Sequence, residues 1–226
     1  MHYKTNSMFT PIEENYLKAL YILAGNNGEV NVNELSKHLN IKMPTVNSMI
    51  KKFAEKDLVI YESYKPVQLS LKGKKEAAKI IRKHRLTEMF LVQVMSFGWE
   101  EVHEIAEQIE HIKSNKFFDK MDELLDYPQF DPHGSPIPDK NGKVINPHFI
   151  KLSDCKLNDN IIIKAISDSS NEFLLFLNSK EIHLGNKAEI TSIETYDKTF
   201  TLKFSKNKTE VFSKLVCDKL LVQKME

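Results

Sequence analysis

Leu35-Ser36-Lys37-His38-Leu39-Asn40-Ile41, continuing through Lys42 and Met43 to Pro44-Thr45-Val46 and then Ile50, decides how the first third of this 226-residue chain is read. Apolar residues fall where two helices pack at a steep angle, and small or polar residues fill the first turn of the second helix. That is a helix-turn-helix pattern. Upstream, Thr10-Pro11-Ile12-Glu13 supplies an N-cap, a proline at the first helical position and a glutamate that completes a capping box. The helix it starts carries Ile12, Tyr16, Leu17, Leu20, Tyr21 and Leu23 and stops at Gly25. A short helix is expected around Asn33 to Leu39. A third runs from near Pro44 to about Lys56 and buries Val46, Ile50 and Phe53. Two strands follow, Leu58 to Glu62 and Val67 to Leu71, joined at Ser63-Tyr64-Lys65-Pro66. This order predicts a winged helix-turn-helix over residues 1–73.

Further along, Gly73 precedes a long amphipathic stretch from about Lys74 to Met95. Shorter helices are expected over roughly Glu100 to Ile112 and Lys116 to Leu125, so residues 74–127 form a helical module. Pro128, Pro132, Gly134, Pro136, Pro138, Gly142 and Pro147 read as a linker over residues 128–150. Beyond it, Asn160 to Ile166, Ala188 to Thr195, Thr199 to Ser205 and Thr209 to Phe212 read as short strands. Turns fall at Tyr196-Asp197-Lys198 and Lys206-Asn207-Lys208, and one helix, Ser170 to Asn178, interrupts them. Residues 151–226 therefore predict a small β-barrel. The fold class is mainly α with a C-terminal β-barrel.

Hydrophobic residues make up 41% of the chain and charged residues 28%, the balance of an ordinary globular protein. No apolar run approaches the roughly 20 residues of a membrane span, and no signal-peptide core is evident. Cys155 and Cys217 stand far apart, so a cytoplasmic setting without disulfides is expected. The net charge of +1 hides an asymmetry: Ser36 to Lys75 holds nine lysines and three acids, whereas Trp99 to Asp126 holds nine acids and three lysines. The basic segment is an electrostatic footprint for phosphate. Lys42, Pro44, Thr45, Asn47 and Ser48 would face a DNA groove, while Lys51, Lys52 and Lys65 would meet phosphates. The absence of arginine there predicts selectivity drawn largely from DNA shape.

The acidic segment carries a different chemistry. At about 100° per residue, His103, Glu107, Glu110 and His111 share one helical stripe, and His84 and Glu88 form an i, i+4 pair upstream. Imidazole with carboxylate suits Mn(II), Fe(II), Co(II), Ni(II) or Zn(II). Isolated histidines on helices are usually structural; three His and three Glu on two consecutive helices make metal binding a serious reading.

Arg82-Lys83-His84-Arg85-Leu86-Thr87-Glu88, the pattern His103-x3-Glu107-x2-Glu110-His111, and Asp131-Pro132-His133-Gly134-x-Pro136-Ile137-Pro138 resemble the diphtheria toxin repressor family of metal-dependent regulators, which includes the manganese transport regulators. The resemblance implies a winged helix-turn-helix, a helical dimerisation domain and an SH3-like domain of the FeoA type. It also implies two ions per protomer. His84, Glu88 and His103 match one site, which Glu172 or Asp168 would complete. Glu107, Glu110 and His111 match the other, normally joined by a ligand from the first helix. That position is Asn15 here, a neutral amide, with Glu14 as the alternative donor. Glu107 stands where the iron-responsive branch has cysteine and the manganese branch glutamate, so a hard carboxylate favours Mn(II) over Fe(II).

The reading that follows is a cytoplasmic, homodimeric, Mn(II)-dependent repressor that binds double-stranded operator DNA and controls metal-uptake genes. It expects no membrane, no small organic substrate and no enzymatic activity. The nearest rival is an Fe(II)-dependent repressor of iron uptake. A metallohydrolase fused to a DNA-binding module would need a nucleophile or H-E-x-x-H constellation that this sequence lacks. A regulator of small organic ligands would leave the His and Glu residues structural.

Overall fold

In the computed structural model, residues 9–25, 27–205 and 208–225 are described; the turn expected at Lys206-Asn207-Lys208 lies partly outside them. Helix α1 (Pro11–Ala24) starts as the sequence predicts. The Thr10 hydroxyl accepts from the Glu13 N–H at 3.2 Å, and the Glu13 carboxylate accepts from the Thr10 N–H at 2.9 Å. Helix α2 (Val32–Leu39) ends at Asn40, whose left-handed backbone (φ 52°) makes the turn into α3 (Met43–Glu55). Strands β1 (Glu29–Val30), β2 (Val59–Ile60) and β3 (Val67–Leu69) form an antiparallel sheet in the order β1-β3-β2. Tyr16, Leu17, Leu20, Leu35, Val46, Ile50, Phe53 and Leu58 are sealed beneath it. Each such burial contributes on the order of 1.5–3 kcal/mol, which fixes the angle between α2 and α3.

Helix α4 (Leu71–Gln93) begins before Gly73 rather than after it. The glycine is no helix stop. A Cβ at this position would lie 1.9 Å from the Leu58 carbonyl oxygen, so only glycine lets the first turn of α4 approach the hairpin. The helix expected over 100–112 is regular only from His103 to Ile109 (α5), and α6 spans Asn115–Leu124.

The described residues divide into two compact units. The first comprises those up to His84, with Glu107–Asp119 and Pro138–Val144. The second comprises Arg85–Ala106, Lys120–Ile137 and those from Ile145 onward. In the second unit, β4 (Ile150–Lys151), β5 (Asn160–Ile166), α7 (Asn171–Ser179), β6 (Lys187–Ile193), β7 (Phe200–Phe204), β8 (Thr209–Phe212), α8 (Lys214–Cys217) and β9 (Leu220–Lys224) follow in order. The strands form one antiparallel sheet in the order β4-β9-β5-β6-β7-β8, the SH3-like module expected, drawn here with β4 and β8 as edges. Register shifts between Ile163 and Ala165 and between Ile190 and Ser192 mark bulges that bend it. Ile161, Ile163, Leu177, Ile190, Leu202, Phe212, Cys217, Leu220 and Val222 fill its core, and Trp99 packs against them. β4 and β9 were not predicted: one is two residues long, and the other carries only a brief alternation at the chain end.

The proline-glycine stretch carries one β-bridge, Phe130 to Pro136, and is otherwise held by side-chain contacts within each unit. In the second unit, Arg85 donates to the Pro136 carbonyl, and Gly134, at φ +83°, packs against Lys164 and Ala165. In the first, Arg82 donates to the Pro138 carbonyl at 2.8 Å.

Candidate metal centre and nucleic-acid interface

The first unit gathers His84, Glu107 and Glu110, whose donor atoms lie within 4.8 Å of one another. Glu110 follows α5 directly and is fully buried; its Oε2 lies 2.6 Å from His84 Nδ1. His111 Nε2 is 3.9 Å from Glu110 Oε1, and its Nδ1 is 2.7 Å from Glu14 Oε2 on α1. Lys113 also donates to Glu14. Asn15 keeps its amide oxygen buried with no hydrogen-bond partner, whereas Glu14 is fully engaged. One group in this cluster was not anticipated. The Lys18 ammonium, on the face of α1 that carries Glu14 and Asn15, donates to Glu107 Oε1 at 2.6 Å and to both Glu110 oxygens at 2.7 and 2.8 Å. The spacing places residues 14, 15 and 18 on one helical face, i, i+3 and i, i+4, but does not say what that face meets.

The second unit gathers Glu88, Asp131 and His133, all buried, with donor atoms again within 4.8 Å. Glu88 stands one turn after His84 on α4; its Oε1 is 3.3 Å from His103 Nδ1 and its Oε2 is 3.8 Å from His133 Nδ1. Asp131 organises the turn that presents His133, its Oδ1 accepting from the backbone N–H groups of His133 and Ser135 at 2.9 Å each. His133 Nε2 lies 2.9 Å from the Trp99 carbonyl oxygen, and its ring stacks on the Trp99 indole. A carbonyl only accepts, so Nε2 carries the proton and Nδ1 turns toward Glu88. This is how an imidazole is held as a metal ligand by an outer hydrogen bond.

Burial, together with the Glu88 charge, raises the Asp131 carboxyl above its usual range, against the pull of Arg85 at 3.4 Å and of His133. Burial alone would lower the His133 pKa, but Glu88 and Asp131 raise it. Two carboxylates crowded with one imidazole in a buried site form a donor set that a divalent cation fits. Asp131 and His133 belong to a motif the sequence offered only as a resemblance, in a stretch read as linker. His103 also lines a cleft of about 740 Å³ with Glu100, Glu104, Asp168 and Lys219. Asp168 is paired with Lys219 there, while Glu172 is exposed on the first turn of α7.

Also in the first unit, Lys42, Pro44, Thr45 and Ser48 are exposed on the opening turn of α3, and Asn47 is half-buried. Lys51 is exposed. Lys52 and Lys56 reach back to Glu13 at 3.2 and 2.7 Å. Burial works to raise the Glu13 carboxyl, but Lys56, the Thr10 N–H and Lys52 together hold it down at about 2. Lys65 pairs with Glu62 in the wing beside Tyr64, which is fully exposed.

A basic winged helix joined to helices bearing buried His and carboxylate clusters defines a metal-responsive DNA-binding protein. The family profile for the iron dependent repressor, N-terminal DNA binding domain, matches residues 8–67, and that for its metal binding and dimerisation domain matches residues 70–139. The HTH-type transcriptional regulator MntR of Geobacillus thermodenitrificans is 31% identical over 124 residues, 55% of this chain and 87% of that protein. That of Bacillus subtilis is 30% identical over 120 residues, 53% and 84%. Among solved structures, a manganese-dependent transcriptional repressor in complex with manganese superposes with a TM-score of 0.87 at 28% identity, covering 94% of this chain and all of the other. ScaR with bound Zn2+ gives 0.78 at 28%, covering 94% and 99%. The chain belongs to the iron-dependent repressor family, which holds the diphtheria toxin repressor and the manganese regulators. It is a metal-dependent, DNA-binding transcriptional repressor, and the family is one of regulators, not enzymes.

Proposed function

We propose that Mn(II) is the effector and that the chain represses metal-uptake genes as a cytoplasmic homodimer on a palindromic operator. The observation that carries the choice of metal is the chemistry of the donors. Both buried clusters offer only carboxylate oxygen and imidazole nitrogen, whereas Cys155 and Cys217 are sealed in the C-terminal core, their thiols pushed up to about 11 and about 12 chiefly by burial. Hard oxygen donors without thiolate favour Mn(II).

The sites are proposed as follows. Glu88, with His103, Asp131 and His133, holds one ion, the site to which the sequence also assigns His84; Asp168 is better placed than Glu172 to approach His103. Glu107, Glu110 and His111, with Asn15 or Glu14 from α1, are the donors for a second, so the ligand inventory is that of two ions per protomer. Bound Mn(II) would supply the positive charge that lets Glu88 and Asp131 stay ionised and close together. The protein groups do the rest: Asp131 and Trp99 aim His133, and α4 carries Glu88 toward it. Lys42, Pro44, Thr45, Asn47 and Ser48 read the groove, while Lys51, Lys52 and Lys65 meet phosphates. Of Leu86, Met89, Phe90, Ile105 and Ile109, the apolar residues the sequence offers for dimerisation, Leu86 is fully buried and the four half-buried ones supply surface for a second copy.

The test is fluorescence anisotropy with duplexes selected from a random library by the Mn(II)-loaded protein. Mn(II) is expected to activate binding at a lower free concentration than Fe(II) under anaerobic conditions; the reverse order overturns the assignment.

A further inference from the structure

We infer that the ammonium of Lys18 takes the cation position between Glu107 and Glu110, so that this chain binds one divalent ion where its ligand inventory suggests two. The inference rests on the metal-dependent reading above. Its basis is geometric. Lys18 is nearly buried, its side chain 9% exposed, and faces the fully buried side chain of Glu110. An ammonium has three N–H donors, and here three carboxylate oxygens receive them, at 2.6, 2.7 and 2.8 Å.

Hard divalent cations sit roughly 2.0–2.6 Å from such oxygens. An ion bound by Glu107 and Glu110 would therefore occupy the space of the ammonium and repel it. Two cations a few ångströms apart in a buried site repel strongly, because little water lies between them to screen the charge. The chain already brings cations to these acids: Glu107 and Glu110 share the Lys18 ammonium, Glu14 faces Lys113, and the His84 and His111 rings lie against Glu110 and Glu14. Of the two donors that α1 offers, Asn15 brings no charge to offset a further cation, and Glu14 is already engaged by Lys113 and His111. Lys18 thus ties α1 to the end of α5 by a covalently supplied cation. The link that a metal would make there is permanent, and sensing falls to the Glu88 cluster.

Counting Mn(II) per chain by native mass spectrometry, with free Mn(II) followed by electron paramagnetic resonance, decides the matter for the full chain and for Lys18→Gln and Lys18→Arg. The expected counts are one for the natural chain, two for Lys18→Gln, and one for Lys18→Arg, which keeps the cation. Two ions on the natural chain overturn the inference, as does a single ion on folded Lys18→Gln. No Mn(II) on any of the three brings down the metal reading itself, a result distinct from both. Should Lys18→Gln not fold, the counts for the natural chain and Lys18→Arg still decide.

Discussion

The two buried clusters are built from the same residue types and differ in where their positive charge comes from. Around Glu110 it is supplied by the chain, through Lys18 and through Lys113 at neighbouring Glu14. Around Glu88 the strained member is Asp131, raised by burial and by the neighbouring carboxylate, with Arg85 only at 3.4 Å. On the proposal above, the cluster with an ammonium in place is the structural tie, and the cluster whose buried carboxylates crowd one another is the cation sensor.

The largest effect is expected from Lys18→Ala. It leaves Glu107 and buried Glu110 without their cation and should cost roughly 3–5 kcal/mol, the range for breaking a buried pair. Urea denaturation measures it, and added Mn(II) should recover most of the loss. Next, Glu88→Gln should weaken Mn(II) binding by about 100-fold or more, as loss of a ligand exceeds the 10–100-fold seen for outer-shell changes. Unchanged affinity in that variant would erase the distinction between the clusters. Gly134→Ala comes third. Its φ of +83° and a Cβ only 2.3 Å from the Lys164 carbonyl oxygen force the Asp131–His133 turn to shift. A stability loss of about 1–3 kcal/mol is expected in thermal melts, with weaker Mn(II) binding. Smallest is Lys51→Ala, which should lower the salt slope of DNA binding by about 1. Lys52→Ala should change it less, because Lys52 is already shared with Glu13.

The winged helix was legible in the sequence because its signals are local. Thr10 and Glu13 cap across three residues, and the apolar spacing of Leu35, Val46 and Ile50 defines two helices. Gly73 misled, since a glycine beside a predicted helix reads as punctuation, and only the approach of Leu58 gives its reason. His84, Glu88 and the 103–111 stripe were legible from periodicity. Asp131 and His133 were not, because they come from a breaker-rich stretch more than forty residues from Glu88, where spacing carries no geometric information. Lys18 was hidden for another reason: a lysine on an amphipathic helix reads as solvated until α1 is seen to lay that face against Glu107 and Glu110.

The most direct test is anomalous scattering from crystals grown with Mn(II). One peak per chain beside Glu88, with the Lys18 ammonium still lodged between Glu107 and Glu110, is the predicted result. A peak between Glu107 and Glu110 with Lys18 swung away would contradict it.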